Sequence, residues 1–379
     1  MKFTITRSTF IKTLNDVSRA ISSKTTIPIL TGLKLVLTDD SLVLTGSDAD
    51  ISIEARIDAN SETNDLQVES TGAIVLPARF FSEIVKRLPE AKMTVDVRDN
   101  LQTVITSGAS EFTINGLDAD QYPRLPEISA PNPLVFDPAI LKQLISQTVI
   151  AVSNQESRPM LTGVHLTISG NTLVAVATDS HRLAQRVLEL QTPTNQDYDV
   201  IIPGKSLIEL SRTMDDDLDQ VEIRIAENQV LFIAGNTAFY SRLLEGNYPD
   251  TTRLIPTSST TTIEFSAPAF LAAIQRASLL SHESRNNVVR LNINVADQKA
   301  TIYGNSPDVG NVEEELQFSN LQGDDLEISF NPDYMKDALQ SFGQSTIEVA
   351  FTAPLRPFTL VPSEDKTHFI QLITPVRTY

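Results

Sequence analysis

The sequence repeats itself at an interval of 131 residues, and this repetition constrains the fold more than any other feature of the chain. Segment 28–35 returns as 159–166, with five identities in eight positions and apolar matches at two more. The similarity continues at the same offset from segment 42–48 to segment 173–179. Internal repeats fold as a series of similar supersecondary units. Because 379 residues exceed one ordinary core, we expect two or three domains.

A third, more diverged copy follows. Three segments with helical apolar spacing begin near Phe10, Ile140 and Phe270, which are 130 residues apart. Segments 288–293 and 300–304 occupy the strand positions of the third copy. Each helix is preceded by a polar residue of the kind that caps helices. These residues are Ser8, Asp137 and Ser266, the last with Pro268 close behind. The chain therefore contains three units.

A second helix recurs in every unit after a strand that ends in proline. The predicted segments are 77–88, 203–214 and 332–342, and proline suits the first turn of a helix because that turn lacks backbone acceptors. The rest of each unit alternates between apolar and polar residues, as in 94–97 and 221–225, which indicates strands. The sequence predicts an α+β fold in which each unit packs two helices on an antiparallel sheet.

Proline-rich stretches separate the units. Segments 122–133 and 248–256 contain several prolines each, which predicts stiff, extended linkers. We place the domains at 1–126, 127–254 and 255–379.

Composition indicates a cytoplasmic protein. The chain has no cysteine, which excludes disulfides, thiolate nucleophiles and cysteine-based zinc sites. No apolar run approaches the roughly 20 residues that span a bilayer. The opening residues alternate in polarity and do not resemble a secretory signal, so we expect the protein to remain in the cytoplasm.

The net charge of −18 argues at first against a nucleic-acid partner. However, five of the six helical segments carry more Lys and Arg than Asp and Glu, when the three first helices are counted with their trailing loops and the three second helices without them. If these helices lie together on one concave side, they would form a weakly positive lining inside an acidic shell. Such a lining would bind DNA weakly and without sequence specificity. The alternative is an ordinary solvated face of amphipathic helices. The residues predicted to face DNA are Lys12, Arg19, Lys24, Arg79, Lys86, Lys142, Gln155, Lys205, Arg212, Arg276 and Arg285.

Four segments resemble the β sliding clamps of bacterial DNA polymerase III. They are the opening 1–4, segment 27–30, segment 177–184 and the ending 375–377. The resemblance covers essentially the whole chain and implies three clamp domains, half of a six-domain ring. It further implies a head-to-tail homodimer that encircles duplex DNA and tethers the replicative polymerase, the clamp loader and repair proteins. It implies no catalytic activity, no cofactor and no metal.

Helix packing independently favours two chains per ring. Helices pack about 8 to 10 Å apart, so six of them around a circle leave roughly 10 Å clear, too little for a duplex. Twelve helices leave roughly 25 to 30 Å, which admits B-form DNA with a shell of water. A head-to-tail contact that closes by rotation produces such a ring.

The resemblance also implies where the two chains meet. Phe112 and Ile114 would pair with Leu279 and Leu280 of the other chain, although each could instead be an ordinary core residue. Many relatives carry Arg near Phe112, where this chain has Ala109 and Glu111. A weaker or more apolar interface is therefore expected.

The family binds its partners through one apolar cleft between the second and third domains, which captures a short peptide with a glutamine and hydrophobic residues. Apolar side chains would accept the hydrophobic anchors while polar ones at the rim fix the peptide backbone. Ser180 stands where glycine is common, and the ending after Ile373 also departs from the family pattern. Carried over, the cleft comprises Arg158, Thr178, Ser180, His181, Arg182, Leu183, Pro249, Arg253, Leu254, Ile373, Pro375, Val376 and Arg377.

Several segments also permit other interpretations. Residues 178–182 could be a plain Asp-containing turn, and the four histidines lack metal-ligand spacing. Segment 204–206 is similar to the end of a phosphate loop but lacks its first glycine, so a helix start is expected. The acidic runs 215–217 and 313–315 are expected in a loop and at a solvated strand edge.

Two other classes of function compete with a clamp. One is a metal-dependent phosphohydrolase that uses Asp179 and His181, whose activity a chelator would abolish. The other is an acidic scaffold that binds proteins but not DNA. Retention on closed circular DNA, with release on linearisation, separates a ring from both.

Overall fold

The repeated sequence produces a repeated order of elements. The computed structural model describes residues 1–59, 61, 64–129, 133–282 and 287–377. Within these ranges, each third of the chain runs strand, helix, four or five strands, helix and three strands. The six α-helices so described are α1 Arg7–Ser18, α2 Ala78–Arg87, α3 Pro138–Thr148, α4 Gly204–Thr213, α5 Ala267–Ser281 and α6 Pro332–Ser341.

The strands of the first third are β1 Lys2–Thr6, β2 Gly32–Leu37, β3 Ser41–Ser47, β4 Ile51–Asp58, β5 Gln67–Ser70, β6 Gly72–Pro77, β7 Lys92–Val97, β8 Gln102–Ser107 and β9 Ser110–Asn115. Those of the second are β10 Leu134–Phe136, β11 Gly163–Ser169, β12 Thr172–Thr178, β13 Arg182–Glu189, β14 Tyr198–Pro203, β15 Val221–Ile225, β16 Gln229–Ala234 and β17 Thr237–Arg242. Those of the third are β18 Thr261–Ser266, β19 Val289–Asn294, β20 Lys299–Ser306, β21 Gly310–Glu315, β22 Asn320–Gly323, β23 Leu326–Phe330, β24 Thr346–Phe351, β25 Phe358–Pro362 and β26 Phe369–Ile373.

The strands of the described residues form four antiparallel sheets. Their orders are β5-β1-β7-β8-β9, β10-β15-β16-β17-β4-β3-β2-β6, β14-β11-β12-β13-β26-β25-β24-β18-β22 and β21-β20-β19-β23. Strands β9 and β21 therefore lie at sheet edges. The eight- and nine-stranded sheets each combine strands from two successive repeats, through β4 with β17 and β13 with β26.

The chain packs as two compact units. One is Met1–Leu141 with Glu209–Leu243, and the other is Lys142–Ile208 with Leu244–Tyr379. The predicted domain boundaries near 126 and 254 stay a prediction, because the middle repeat contributes strands to both units.

Apolar residues on one face of each helix form the cores. In α1 the buried residues Phe10, Leu14 and Val17 recur at helical spacing, and Phe10 meets Phe81 of α2 edge-on at 5.7 Å between ring centroids. In α5, Phe270 stacks on Phe265 at 4.2 Å. Such buried aromatic side chains supply much of the apolar area that stabilises each repeat.

The second helices begin and end within one residue of their predicted bounds, but one predicted cap is wrong. Helix α1 begins at Arg7, so Ser8 lies inside its first turn. Strand β1 runs directly into this helix, and the carbonyl of Ala91 accepts the Arg7 N–H at 2.8 Å, so no capping side chain is required.

The other two first helices differ in how they are capped. Ser266 precedes α5 without a capping bond from its side chain, whereas Asp137 Oδ1 caps α3 by accepting the Ala139 N–H at 2.7 Å. The second linker is not wholly extended, since Thr252–Leu254 forms a 3-10 turn. No helix in the described ranges is both long and apolar enough to cross a membrane.

Candidate functional site

A tight turn joins β12 to β13 and carries four of the predicted cleft residues. Asp179 Oδ1 accepts the backbone N–H groups of His181 at 2.9 Å and Arg182 at 3.0 Å. Thr178 Oγ1 accepts the Ser180 N–H at 3.1 Å and donates to the Arg182 carbonyl at 2.6 Å. Ser180 has a left-handed φ of 80°. The Asp turn anticipated from the sequence is present, and it fixes the backbone of these residues.

The side chain of Arg182 ties this turn to helix α6. Its Nε donates to Asp179 Oδ2 at 3.0 Å and its Nη1 donates to Asp337 Oδ2 at 2.5 Å. The guanidinium lies 4.6 Å from the ring centroid of Tyr334, over which the ring of His181 also stacks. Charge-assisted hydrogen bonds and a cation–π contact hold Arg182 in one position, so it is a fixed positive group rather than a free one.

Tyr248 supports the turn from the other side. Its hydroxyl accepts the Thr178 N–H at 3.0 Å, and its ring stacks on His165 at 4.7 Å. Burial raises the pKa of Tyr248 to about 12, partly offset by the Thr178 N–H, so the phenol is neutral at physiological pH. Buried Leu183 packs with Val176 and other apolar side chains beneath this position.

The segment after strand β26 lies beside the turn. Ile373 is the register partner of Arg182, and Thr374 donates both its N–H and its Oγ1 to the His181 carbonyl, at 2.9 and 2.8 Å. The Val376 N–H bonds to the Ser329 carbonyl at 2.7 Å. Pro375 and Val376 are half-buried and Arg377 is exposed. The structure thus brings the predicted ending of the cleft against the predicted turn.

The remaining cleft residues are exposed. Arg158 Nη1 donates to Ser180 Oγ at 2.9 Å, which connects it to the turn. Leu254 is 49% exposed, and Arg253 meets Asp250 at 3.8 Å. Pro249, Arg253 and Leu254 follow Tyr248 in the chain, and no hydrogen bond or ion pair joins them to the turn among the described residues.

The same turn recurs one repeat earlier. Asp48 Oδ1 accepts the N–H groups of Asp50 at 3.0 Å and Ile51 at 2.8 Å, and Ala49 has a φ of 80°. The Arg242 N–H bonds to the Asp50 carbonyl at 2.9 Å, as the Thr374 N–H does to that of His181. The turn is therefore a property of the repeat, while the side chains displayed on it differ.

Several of the predicted DNA-facing cations are paired with carboxylates. Lys12 Nζ lies 2.7 Å from Asp215 Oδ2, and Glu209 lies between Arg19 at 3.3 Å and Arg212 at 2.8 Å. In the other unit, Arg276 forms a two-pronged pair with Glu314 on edge strand β21.

The other predicted cations are mostly exposed. Lys24, Arg79 and Lys86 make no ion pair within the described ranges, and exposed Gln155 lies in the loop after α3. Lys205 is exposed and Lys142 half-buried. Arg285 lies outside the described residues.

The predicted interface residues occupy sheet edges and helix surfaces. Phe112 is 41% exposed on edge strand β9, with Ile114 half-buried two residues on, and Leu279 is 70% exposed on α5 beside half-buried Leu280. The core interpretation is wrong for Phe112 and Leu279. Edge strands with exposed apolar side chains are typical of surfaces that pair with another chain.

Residues that the alternative functions would need are engaged elsewhere. Asp179 closes its own turn, and no group of three or more candidate metal ligands lies close together in the part of the chain described. Gly204 begins α4, Asp215 follows that helix in a loop, and segment 313–315 lies on edge strand β21.

Sequence reasoning missed Tyr248, Tyr334 and Asp337 as parts of the site. Tyr334 and Asp337 are three residues apart on α6, on the face that meets Arg182, but nothing in their spacing predicts that partner. A signal was available for Tyr248, because the pair Tyr248-Pro249 repeats Tyr122-Pro123 and both tyrosines are largely buried.

Comparison with known proteins identifies the class. Three family models match, described as the N-terminal, central and C-terminal domains of the DNA polymerase III beta subunit, over residues 1–126, 136–250 and 252–377. The chain is thus built from three clamp domains of this kind.

Full-length relatives agree with these matches. The beta sliding clamp of Bacillus subtilis is 50% identical and that of Staphylococcus aureus 46%, each over the whole of both chains. The crystal structure of the Bacillus subtilis sliding clamp superposes with a TM-score of 0.96 at 49% identity, again over all of both chains. The chain belongs to the DNA polymerase III beta subunit family, the bacterial sliding clamps.

Proposed function

We propose that two copies of this chain close head to tail into a ring around duplex DNA, and that the ring tethers the replicative polymerase to its template. The proposal rests chiefly on the repeated helices, whose cations are numerous but partly neutralised by neighbouring carboxylates. Such a surface attracts phosphates without forming a strong, fixed set of contacts, and no base-reading motif accompanies it. The ring itself catalyses no bond-making reaction. It acts in the cytoplasm, on the nucleoid.

Exposed apolar side chains support ring closure. Phe112 with Ile114 on edge strand β9 would meet Leu279 with Leu280 of the other chain, giving two identical contacts. Beside these apolar residues the chain has Ala109 and Glu111 where many relatives carry Arg, so apolar contact would supply most of the affinity.

The topological part of the proposal is tested on DNA circles. Clamps loaded on nicked circular plasmid by a clamp loader should stay bound through gel filtration at high salt, and cutting the plasmid should release them. Equal retention on circular and linear DNA would contradict encirclement.

We infer that polymerases, the clamp loader and repair proteins bind through the surface formed by the turn at Thr178 to Arg182 and the segment after Ile373. The proximity of His181 and Thr374 supports this placement. A peptide with a glutamine and two hydrophobic residues would lay its apolar side chains against Leu254, Pro375 and Val376.

Removing residues 375–379 tests the cleft separately from the ring. The truncated protein should lose affinity for such a peptide in a fluorescence anisotropy titration and still be retained on DNA circles. A matched control is Leu355→Ser, which changes an exposed apolar residue elsewhere in the same unit. Unchanged peptide affinity after truncation would reject this site.

A further inference from the structure

We propose that three carboxylates, Glu209, Asp215 and Glu314, weaken the hold of the basic helices on DNA phosphates and so allow the clamp to move. We call them the screening carboxylates. This inference rests on the proposed encirclement of DNA and adds a regulating element to the same surface.

The first two screening carboxylates act on helices α1 and α4. Glu209, whose side chain is only 16% exposed, bridges Arg19 at 3.3 Å and Arg212 at 2.8 Å. Asp215, just after α4, holds Lys12 at 2.7 Å, and hydrogen bonding to Asp215 raises the pKa of Lys12. With Asp16 beside Arg19, three cations face three carboxylates. The positive charges of Lys12, Arg19 and Arg212 are thus neutralised locally.

The third screening carboxylate acts in the other compact unit. One edge of the Arg276 guanidinium on α5, formed by Nε and Nη2, donates to the two oxygens of Glu314. The hydrogen bond from Arg276 holds the pKa of Glu314 below its ordinary value, so this carboxylate is ionised at neutral pH. A bidentate pair fills the donor geometry that a phosphate would otherwise use.

Each unit therefore has cations of a first helix, α1 or α5, paired with carboxylates that lie outside that helix. By contrast, Lys24, Arg79 and Lys86 are exposed without an ion pair in the described ranges, so a smaller set of cations remains for phosphate. A carboxylate about 3 Å from a cation is well inside the roughly 8 Å Debye length at physiological salt and opposes the attraction of that cation for phosphate.

The test neutralises the screening carboxylates in the full-length protein. The triple variant Glu209→Gln, Asp215→Asn, Glu314→Gln should bind a fluorescent linear duplex more tightly than wild type at low salt. Each phosphate newly neutralised adds about 0.9 to the slope of log affinity against log salt, so the slope should steepen by about 1 to 2.

A second triple variant controls for net charge. Glu222→Gln, Asp58→Asn and Glu348→Gln remove the same three charges from ion pairs with Arg224, Arg56 and Lys366, which lie on strands or in a loop. The side-chain exposures of these carboxylates, 24%, 43% and 16%, are close to the 29%, 47% and 16% of Glu314, Asp215 and Glu209. If Glu209→Gln impairs folding, the pair Asp215→Asn, Glu314→Gln is used, because both residues are more exposed.

The outcomes distinguish this inference from the function on which it rests. A steeper slope in the first variant than in the control supports screening. Equal effects in the two variants would attribute the change to net charge and overturn the screening proposal. The absence of an effect in either variant, with wild type still retained on circles, would also overturn it. Failure of wild type to be retained on circles would overturn the encirclement and the screening together.

Discussion

The hydroxyl of Tyr248 accepts the backbone N–H of Thr178 at 3.0 Å, and this bond joins the linker after β17 to the turn of the candidate cleft. Thr178 is 5% exposed, so its N–H has no access to bulk water. A buried donor without a partner costs about 1 to 3 kcal/mol.

Replacing Tyr248 with Phe should therefore destabilise the protein and weaken peptide binding. We expect a loss of about 1 to 3 kcal/mol, since the Thr178 N–H loses its acceptor, together with a severalfold rise in the Kd of the cleft peptide. Thermal unfolding and peptide titration measure the two effects. Tyr303→Phe, which removes a hydroxyl from a strand far along the chain from the turn, should change neither. An unaltered Kd in Tyr248→Phe would show that the turn needs no such support.

The two repeated turns allow a matched experiment on backbone strain. Ala49 and Ser180 both have a φ of 80°, which non-glycine residues adopt at a cost. Ala49→Gly should stabilise the protein by up to about 1 kcal/mol. Ser180→Gly should gain less, because it also loses the hydrogen bond from Arg158. Melting temperatures of the two variants measure the gains in stability. A larger gain for Ser180→Gly would contradict a role for Arg158 in stabilising the turn.

Substitution of Leu279 should disrupt dimerisation without unfolding the monomer. Leu279 is 70% exposed, so Leu279→Asp costs little within one chain but would place a charge in the proposed apolar contact. We expect a monomer at micromolar concentration by light scattering. Leu355→Asp, at an exposed leucine in a loop, should remain dimeric. A dimeric Leu279→Asp would place the interface elsewhere.

The pH dependence of stability should report the crowding of carboxylates around α1. Burial, and then the nearby charge of Asp215, raise the pKa of Asp16 above its ordinary value of 3.8. A carboxyl with a raised folded-state pKa favours folding below 3.8, and that contribution is lost as pH rises through the raised pKa. Asp16→Asn should therefore be more stable than wild type at neutral pH, with the difference vanishing below 3.8. A stability difference between Asp16→Asn and wild type that increased on acidification would contradict a raised pKa for Asp16.

The repeated architecture was predictable from the sequence because the same pattern of helices and strands occurs three times along the chain. Apolar spacing located the first helix of each repeat, and proline marked the start of each second helix within a residue. The prediction for Ser8 failed because strand β1 continues into α1, and a distant carbonyl at Ala91 satisfies the first N–H. Local capping signals carry no information about such long-range bonds.

The chemistry of the site was less predictable. The turn at Asp179 follows from local chemistry, but the attachment of Arg182 to Asp337 spans 155 residues and depends on the packing of α6 against it. Likewise, counting charges by helix gave α1 and α4 a positive sum, because Asp215 lies just past the counted segment and its pairing with Lys12 is visible only in three dimensions.

The ladder between β13 and β26 has a mechanical consequence. It pairs Arg182 with Ile373 through to Arg186 with Phe369, so the two halves of the candidate cleft are joined by a continuous sheet and not only by the linker at 248–256. A protease cut in that linker would leave both fragments bound to each other. Under the proposed function, the hydrogen-bonded strands would bear the load when a bound partner pulls on the cleft.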